Sequence, residues 1–110
     1  MTLPPPEIRH AYYKYYVFVE PARLLPDWSR DRIIAELTAV GVPCFSGSCS
    51  EIYLEKAFDT LPTKPVGRLP IAKELGETSL MFLVHPTLTV EYMKQVIEAI
   101  QSVFAKASQG

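Results

Sequence analysis

Residues 79–104 read SLMFLVHPTLTVEYMKQVIEAIQSVF, and this stretch decides the fold. Leu80, Met81, Phe82, Leu83 and Val84 form an unbroken apolar run of strand length, closed by His85 and Pro86. Such a run reads as a buried strand ending in a proline-marked turn. Thr89 stands where a hydroxyl can cap a helix, and Glu91 puts a negative charge near the positive end of its dipole. Met93, Val96, Ile97, Ile100, Val103 and Phe104 then recur at spacings of three and four. They make one apolar helical face, with Glu91, Lys94, Gln95, Glu98 and Gln101 mostly on the other. Each such side chain contributes roughly 1.5–3 kcal/mol when fully buried. No other segment offers as much, so the rest of the chain is expected to pack on this strand and helix.

Upstream, Pro70 suits the first turn of a helix running through IAKELGETS, although Gly76 weakens its interior. Residues 59–69 carry two prolines and Gly67 and read as loop. Glu51 to Phe58 holds enough helix formers for a short helix, and Ser46 to Ser50, SGSCS, is a polar turn. Val42 to Phe45 reads as a short strand. It follows Gly41, placed where a left-handed terminator ends a helix from Arg30 to Val40. That helix takes Asp27 or Ser29 as its cap and buries Ile33, Ile34, Leu37 and Val40. Pro21 and Pro26 bracket the loop before it.

His10 to Glu20, HAYYKYYVFVE, is the clearest strand. Alternation puts Ala11, Tyr13, Tyr15, Val17 and Val19 on the expected core face. His10, Tyr12, Lys14, Tyr16, Phe18 and Glu20 take the other, whose polar start suits a site or solvent. Residues 1–9 are expected to form a flexible lead-in, residues 10–107 one domain, and residues 108–110 a flexible tail. Few strands mixed with helices point to a small two-layer α+β sandwich, a short sheet packed by helices. No internal repeat is present.

The chain has 110 residues, enough for one domain with a core of its own. A net charge of −1 argues against a general nucleic-acid or anionic-membrane binder. No apolar run approaches the ~20 residues of a membrane span, and MTLPPPEIR lacks the form of a secretory signal. The cytoplasm is the expected location. Cys44 and Cys49 form no CxxC pair, and with two distant histidines they make a poor zinc set.

Residues for chemistry are sparse. His10 and His85 stand in no Ser/His/Asp or Cys/His pattern, and neither a dinucleotide nor a phosphate-loop motif occurs. Glu51 and Glu55 could share a helix face, but such carboxylates usually meet solvent. The turn SGSCS could offer hydroxyl and backbone donors to an anion or a sugar, against the plainer reading of a turn that satisfies itself. Lys14, Lys64, Arg68 and Lys73 could add positive charge, and Tyr12, Tyr13, Tyr15 and Tyr16 could stack on a ring. Taken singly, each is more often a surface charge or a cross-strand partner.

Four blocks in order carry a family resemblance. HAYYKYYVFV, RDRIIAELTAVGVPC, SGSCSEIYLEKAF and LPIAKELGETSLMFLVHPTLTVEYMKQVIEAI together resemble the C-terminal small domain of the DegT/StrS family of nucleotide-sugar aminotransferases. The last block is the most specific. The resemblance implies the small-domain fold of fold-type I aminotransferases, with a mostly antiparallel sheet. It implies a parent that moves an amino group onto a nucleotide-linked keto sugar in lipopolysaccharide or other cell-surface polysaccharide synthesis, normally as a homodimer. Pyridoxal phosphate and its lysine belong to a large domain, and no lysine here stands in that motif. The chain alone is therefore expected to hold no cofactor or metal and to be inactive. Tyr13, Lys14, Ser46, Gly47, Ser48, Ser50 and Tyr53 are the residues implied to face substrate. The sequence departs from commoner members, which often carry histidine at Tyr13 and Tyr53 and a tyrosine-proline pair within the turn. The competing reading is a stand-alone binding or regulatory module with the same fold; a hydrolase built on His10 or His85 ranks below both.

Overall fold

The computed structural model describes residues 4–47 and 49–108. In chain order its elements are β1 (Lys14–Phe18), α1 (Arg30–Ala39), β2 (Cys44–Ser46), α2 (Pro70–Thr78), β3 (Ser79–Leu83) and α3 (Val90–Ala107). The strand run and the long helix expected from residues 79–104 are both present. β3 is the central strand of a sheet in the order β1-β3-β2, antiparallel on both sides. The architecture is α+β.

Register explains the core. Tyr15 pairs with Phe82 and Val17 with Leu80, while Cys44 pairs with Phe82 from the other side. These residues share one face of the sheet, and α1 and α3 cover it. Ile33, Leu37 and Leu80 are the largest fully buried side chains, joined by Val42, Phe82, Val103 and Ala107. Leu25 N donates to Ala107 O at 2.8 Å and Leu24 bridges Ser108, so the end of α3 is held by the chain that follows β1.

The helix boundaries follow local chemistry. Ser29 Oγ accepts from Arg32 N and Thr89 Oγ1 from Tyr92 N, each at 3.1 Å. Gly41 adopts φ +83° after α1, a conformation that side-chain-bearing residues resist. Pro70 begins α2, and Gly76 lies inside it without breaking it. Arg30 reaches from the first turn of α1 to donate to Gly76 O and Ser79 O, both at 3.1 Å, tying the end of α2 to the start of β3.

Five expectations change. β1 begins at Lys14, not His10, because Tyr12 takes φ +48° and its N–H bonds His10 Nδ1 at 2.9 Å. Extension cannot begin before that left-handed residue. Tyr13, placed by alternation on the core face, is 83% exposed for the same reason. The helix expected over Glu51–Phe58 is two 3-10 turns, Ile52–Leu54 and Lys56–Phe58, split where Glu55 becomes extended. Val40 is exposed because α1 ends before it, and Ile97, expected inside, is 49% exposed. Among the described residues no helix is long and apolar enough to cross a membrane.

Candidate functional site

The polar turn after β2 sits on the start of β3. Gly47 N donates to Ser79 Oγ at 3.2 Å. A Cβ at Gly47 would lie 2.5 Å from that oxygen and 2.9 Å from Ser79 Cβ, so only glycine lets the turn approach this closely. Ser50 packs its hydroxyl against Gly76 of α2, where a Cβ would collide with it. Ser46 is exposed at the end of β2, and Ser48 lies outside the described residues. Of the donors that the turn could offer a ligand, the Gly47 N–H is already engaged.

Tyr53 is engaged as well. Its hydroxyl donates to Glu51 Oε1 at 2.8 Å and accepts from Leu69 N at 2.8 Å. Glu51 also receives both Arg68 Nε, at 2.9 Å, and Arg68 Nη2. The Arg68 guanidinium, helped by the tyrosine hydroxyl, holds the Glu51 carboxyl down to about 2, against a partial burial that pulls the other way. The same pairing raises Arg68, and burial first, then the Glu51 bond, raises Tyr53. Arg68 Nη1 continues to Glu77 at 3.4 Å, and Glu77 meets Lys73 Nζ at 3.0 Å. This network closes the loop between Glu51 and Leu69 onto the beginning of α2. Chemically it is a buttress: its charges are spent on one another.

The sequence signalled little of this. Glu51 and Arg68 stand 17 positions apart with no periodicity between them. Opposite charges flanking a loop rich in proline were the available hint. Arg30, which ties α2 to β3, looked like an ordinary first-turn residue.

Tyr13 and Lys14 fall elsewhere. Lys14 pairs with Leu83 at one end of β3, whereas Ser46 pairs with Leu80 towards the other, across two strand spacings. Their backbones are therefore roughly 14 Å apart by ideal sheet dimensions. Lys14 Nζ lies over the Tyr13 ring, 5.2 Å from its centroid, a cation–π contact at the surface. Gly47 and Ser50 thus meet the junction of α2 and β3, Tyr53 bonds Leu69 at the other end of α2, and Tyr13 and Lys14 form a separate pair.

Both histidines bond locally through Nδ1. His10 Nδ1 accepts from Tyr12 N, and His85 Nδ1 lies 2.7 Å from Thr87 Oγ1 inside its turn. Burial pushes the Cys44 thiol up to about 11, leaving it protonated and inert, while Cys49 is exposed. Among the described residues no group of three or more acidic, histidine or cysteine side chains could hold a metal. Lys64 pairs with Asp59 at 2.5 Å, Lys73 pairs with Glu77, and the groove described next contains no lysine.

That groove, of about 520 Å³, runs between β1, the end of β3 and α3. Val17, Phe18, Leu83, Met93, Ile97 and Phe104 are among its lining residues, and the lining holds no charged or amide side chain. Tyr15, whose ring lies 5.8 Å from that of Tyr12, contributes its one hydroxyl.

No family model matches the sequence, and no curated protein matches it. Solved structures do. An aminotransferase from Psychrobacter cryohalolentis is 64% identical over 88% of this chain, with a TM-score of 0.83. A DegT/DnrJ/EryC1/StrS aminotransferase from Brucella abortus is 25% identical over 91% of the chain, with a TM-score of 0.68. The chain spans 25% of the first and 24% of the second. Its architecture is that of about one quarter of an aminotransferase, and one of the two is of the DegT/StrS type.

Proposed function

We propose that this chain, matched to one quarter of two aminotransferases, is the C-terminal small domain of a pyridoxal-phosphate-dependent enzyme and is silent alone. The parent transfers an amino group to a nucleotide-linked keto sugar, in the cytoplasm and as a homodimer, for lipopolysaccharide or related surface polysaccharides. The observation that carries the reading is the 64% identity at a TM-score of 0.83. So high an identity over nearly the whole chain supports a shared role in a larger molecule.

Within that role the turn that carries Ser46, Gly47, Ser48 and Ser50 in sequence is assigned to the substrate cleft, together with Tyr53, whose hydroxyl bonds Glu51 and the Leu69 N–H. Tyr13 and Lys14, at the other end of the sheet, reach the substrate only if it is extended. A nucleotide-linked sugar has that shape; a small keto acid does not.

The test has two parts. Pyridoxal phosphate mixed with the 110-residue chain should give no stoichiometric lysine-dependent absorbance band; such a band would overturn the silent-domain reading. Grafted in place of the matched quarter of the Psychrobacter cryohalolentis enzyme, the chain should support amino transfer to nucleotide-linked keto sugars in preference to keto acids. A folded, cofactor-loaded graft that turns over keto acids alone, or nothing, sinks the sugar assignment.

A further inference from the structure

Helix α2 runs straight into β3, for its last residue, Thr78, is followed at once by Ser79. A helix end leaves its final carbonyls without intrahelical partners. This one stops on an extended Ser79, with no basic residue in its last turn. The missing partners come from elsewhere in the fold. Thr78 O accepts from Val19 N at 2.9 Å, and Gly76 O accepts from Arg30 Nη1 at 3.1 Å. The same Nη1 donates to Ser79 O, also at 3.1 Å, while Nε bonds Asp31 Oδ1 at 2.6 Å. The arginine side chain is 16% exposed, so its cation is held inside the fold, at the negative end of the α2 dipole.

The junction that Arg30 closes has a second occupant. Gly47 N donates to Ser79 Oγ, and Ser50 lies so near Gly76 that a Cβ there would meet its hydroxyl. The polar turn after β2 therefore rests on Gly76 and Ser79, and these are the two residues whose carbonyls Arg30 holds. A shift at either carbonyl moves the surface on which the turn is seated.

We propose that Arg30 is a positioning residue for substrate. By fixing Gly76 and Ser79 from α1, it sets where the turn stands and with it the affinity for the nucleotide-linked sugar. The proposal rests on the assignment of this turn to the substrate cleft. Arg30 acts through the turn and on no reacting atom, so the half-reaction with the amino donor is independent of it.

The 110-residue chain tests the positioning. Arg30→Met keeps the bulk of the side chain and removes its donors. Hydrogen exchange at the Gly47 amide should then speed by ~10-fold while the amides of α3 keep their rates, the pattern of a local opening. Arg30→Lys, which retains charge and N–H donors, should recover most of the protection. Unchanged exchange at Gly47, or an equal rise at Gly47 and throughout α3, overturns the proposal. Arg30→Gln is the milder truncation; the same readings apply to it if Arg30→Met does not fold.

The grafted enzyme tests the consequence. Per cofactor-loaded site, Arg30→Met should raise KM for the nucleotide-linked keto sugar about 10-fold and leave the amino-donor half-reaction within ~2-fold, as expected of a lost positioning contact. Ser79→Ala, which removes the acceptor of Gly47 N, should give a similar rise, and the double variant little more, because both act through one contact. A merely structural arginine would lower the loaded fraction and leave both KM values unchanged; that result, or equal losses in the two half-reactions, refutes the substrate role. A graft with Arg30 intact that loads cofactor yet ignores nucleotide sugars sinks the reading of the turn itself. The Gly47 exchange rates separate that failure from a failure of Arg30 to hold the turn.

Discussion

The two sides of α3 obey one sequence rule and meet different fates. Towards α1, Val103 and Ala107 lie in the core with Ile33 and Leu37. Towards β1, Met93 and Ile97 carry the same apolar chemistry and line an open groove. Periodicity shows which face of a helix gains from leaving water. It does not show whether the covering surface lies in the same chain. The half-covered side of α3 is a feature that the packed elements reveal and periodicity does not.

The sharpest challenge to this contrast is Leu80→Ala. Leu80 is fully buried in the central strand, so its truncation should cost about 2–5 kcal/mol, seen as a lower urea midpoint at unchanged m. A loss under ~1 kcal/mol would mean that the α1 side is no better packed than the groove. Gly47→Ala comes next. Its Cβ would press on Ser79, itself buried at the start of β3, and a cost of roughly 1–3 kcal/mol is expected. The helix caps make a control that burial should not affect. Ser29→Ala on α1 and Thr89→Ala on α3 remove equivalent hydroxyl bonds and should each cost about 1 kcal/mol. A large inequality between them would show that the two helices differ in more than their cover. Ile97→Ala should be milder than Leu80→Ala in the 110-residue chain, about 1 kcal/mol or less, because half of that side chain is already in water.

Most of the fold could be read in the residues because its determinants are local. Ser29, Thr89, Pro70 and Gly41 mark boundaries through bonds and dihedral angles set within a few positions. That residues 80–84 form a buried strand followed from their apolar run; the central position of β3 in the sheet comes from its pairing. What escaped was set at long range or by one torsion. Tyr12 at φ +48° cut β1 short, and nothing in a tyrosine-rich run foretells a left-handed residue. The Glu51–Arg68 pair depends on how a loop of prolines closes, and the half-exposure of Ile97 on α3 is a matter of packing that periodicity does not show. Of the candidate site, Ser46, Gly47 and Ser50 are near one another because they are near in sequence, which is legible. The separation of Tyr13 and Lys14 from them is a matter of register, which only the paired strands reveal.

The smallest expected effect belongs to the polar end, and it differs from the others in kind. The Glu51 carboxyl sits at about 2 in the folded chain against an ordinary 4.5, so it binds a proton more weakly folded than unfolded. Its stabilisation is therefore complete above pH 4.5 and is lost as pH falls through about 2. Glu51→Gln should flatten the acid limb of the stability curve in that window, and high salt should shrink the difference, because Arg68 is partly exposed. Leu80→Ala should instead lower the whole curve in parallel, since an apolar truncation exchanges no protons. Were both variants to shift the curve without changing its slope, the ion pair would contribute nothing specific in solution. The loop from Glu51 to Leu69 would then be held by its other contacts, the bond from Leu69 N to the Tyr53 hydroxyl among them.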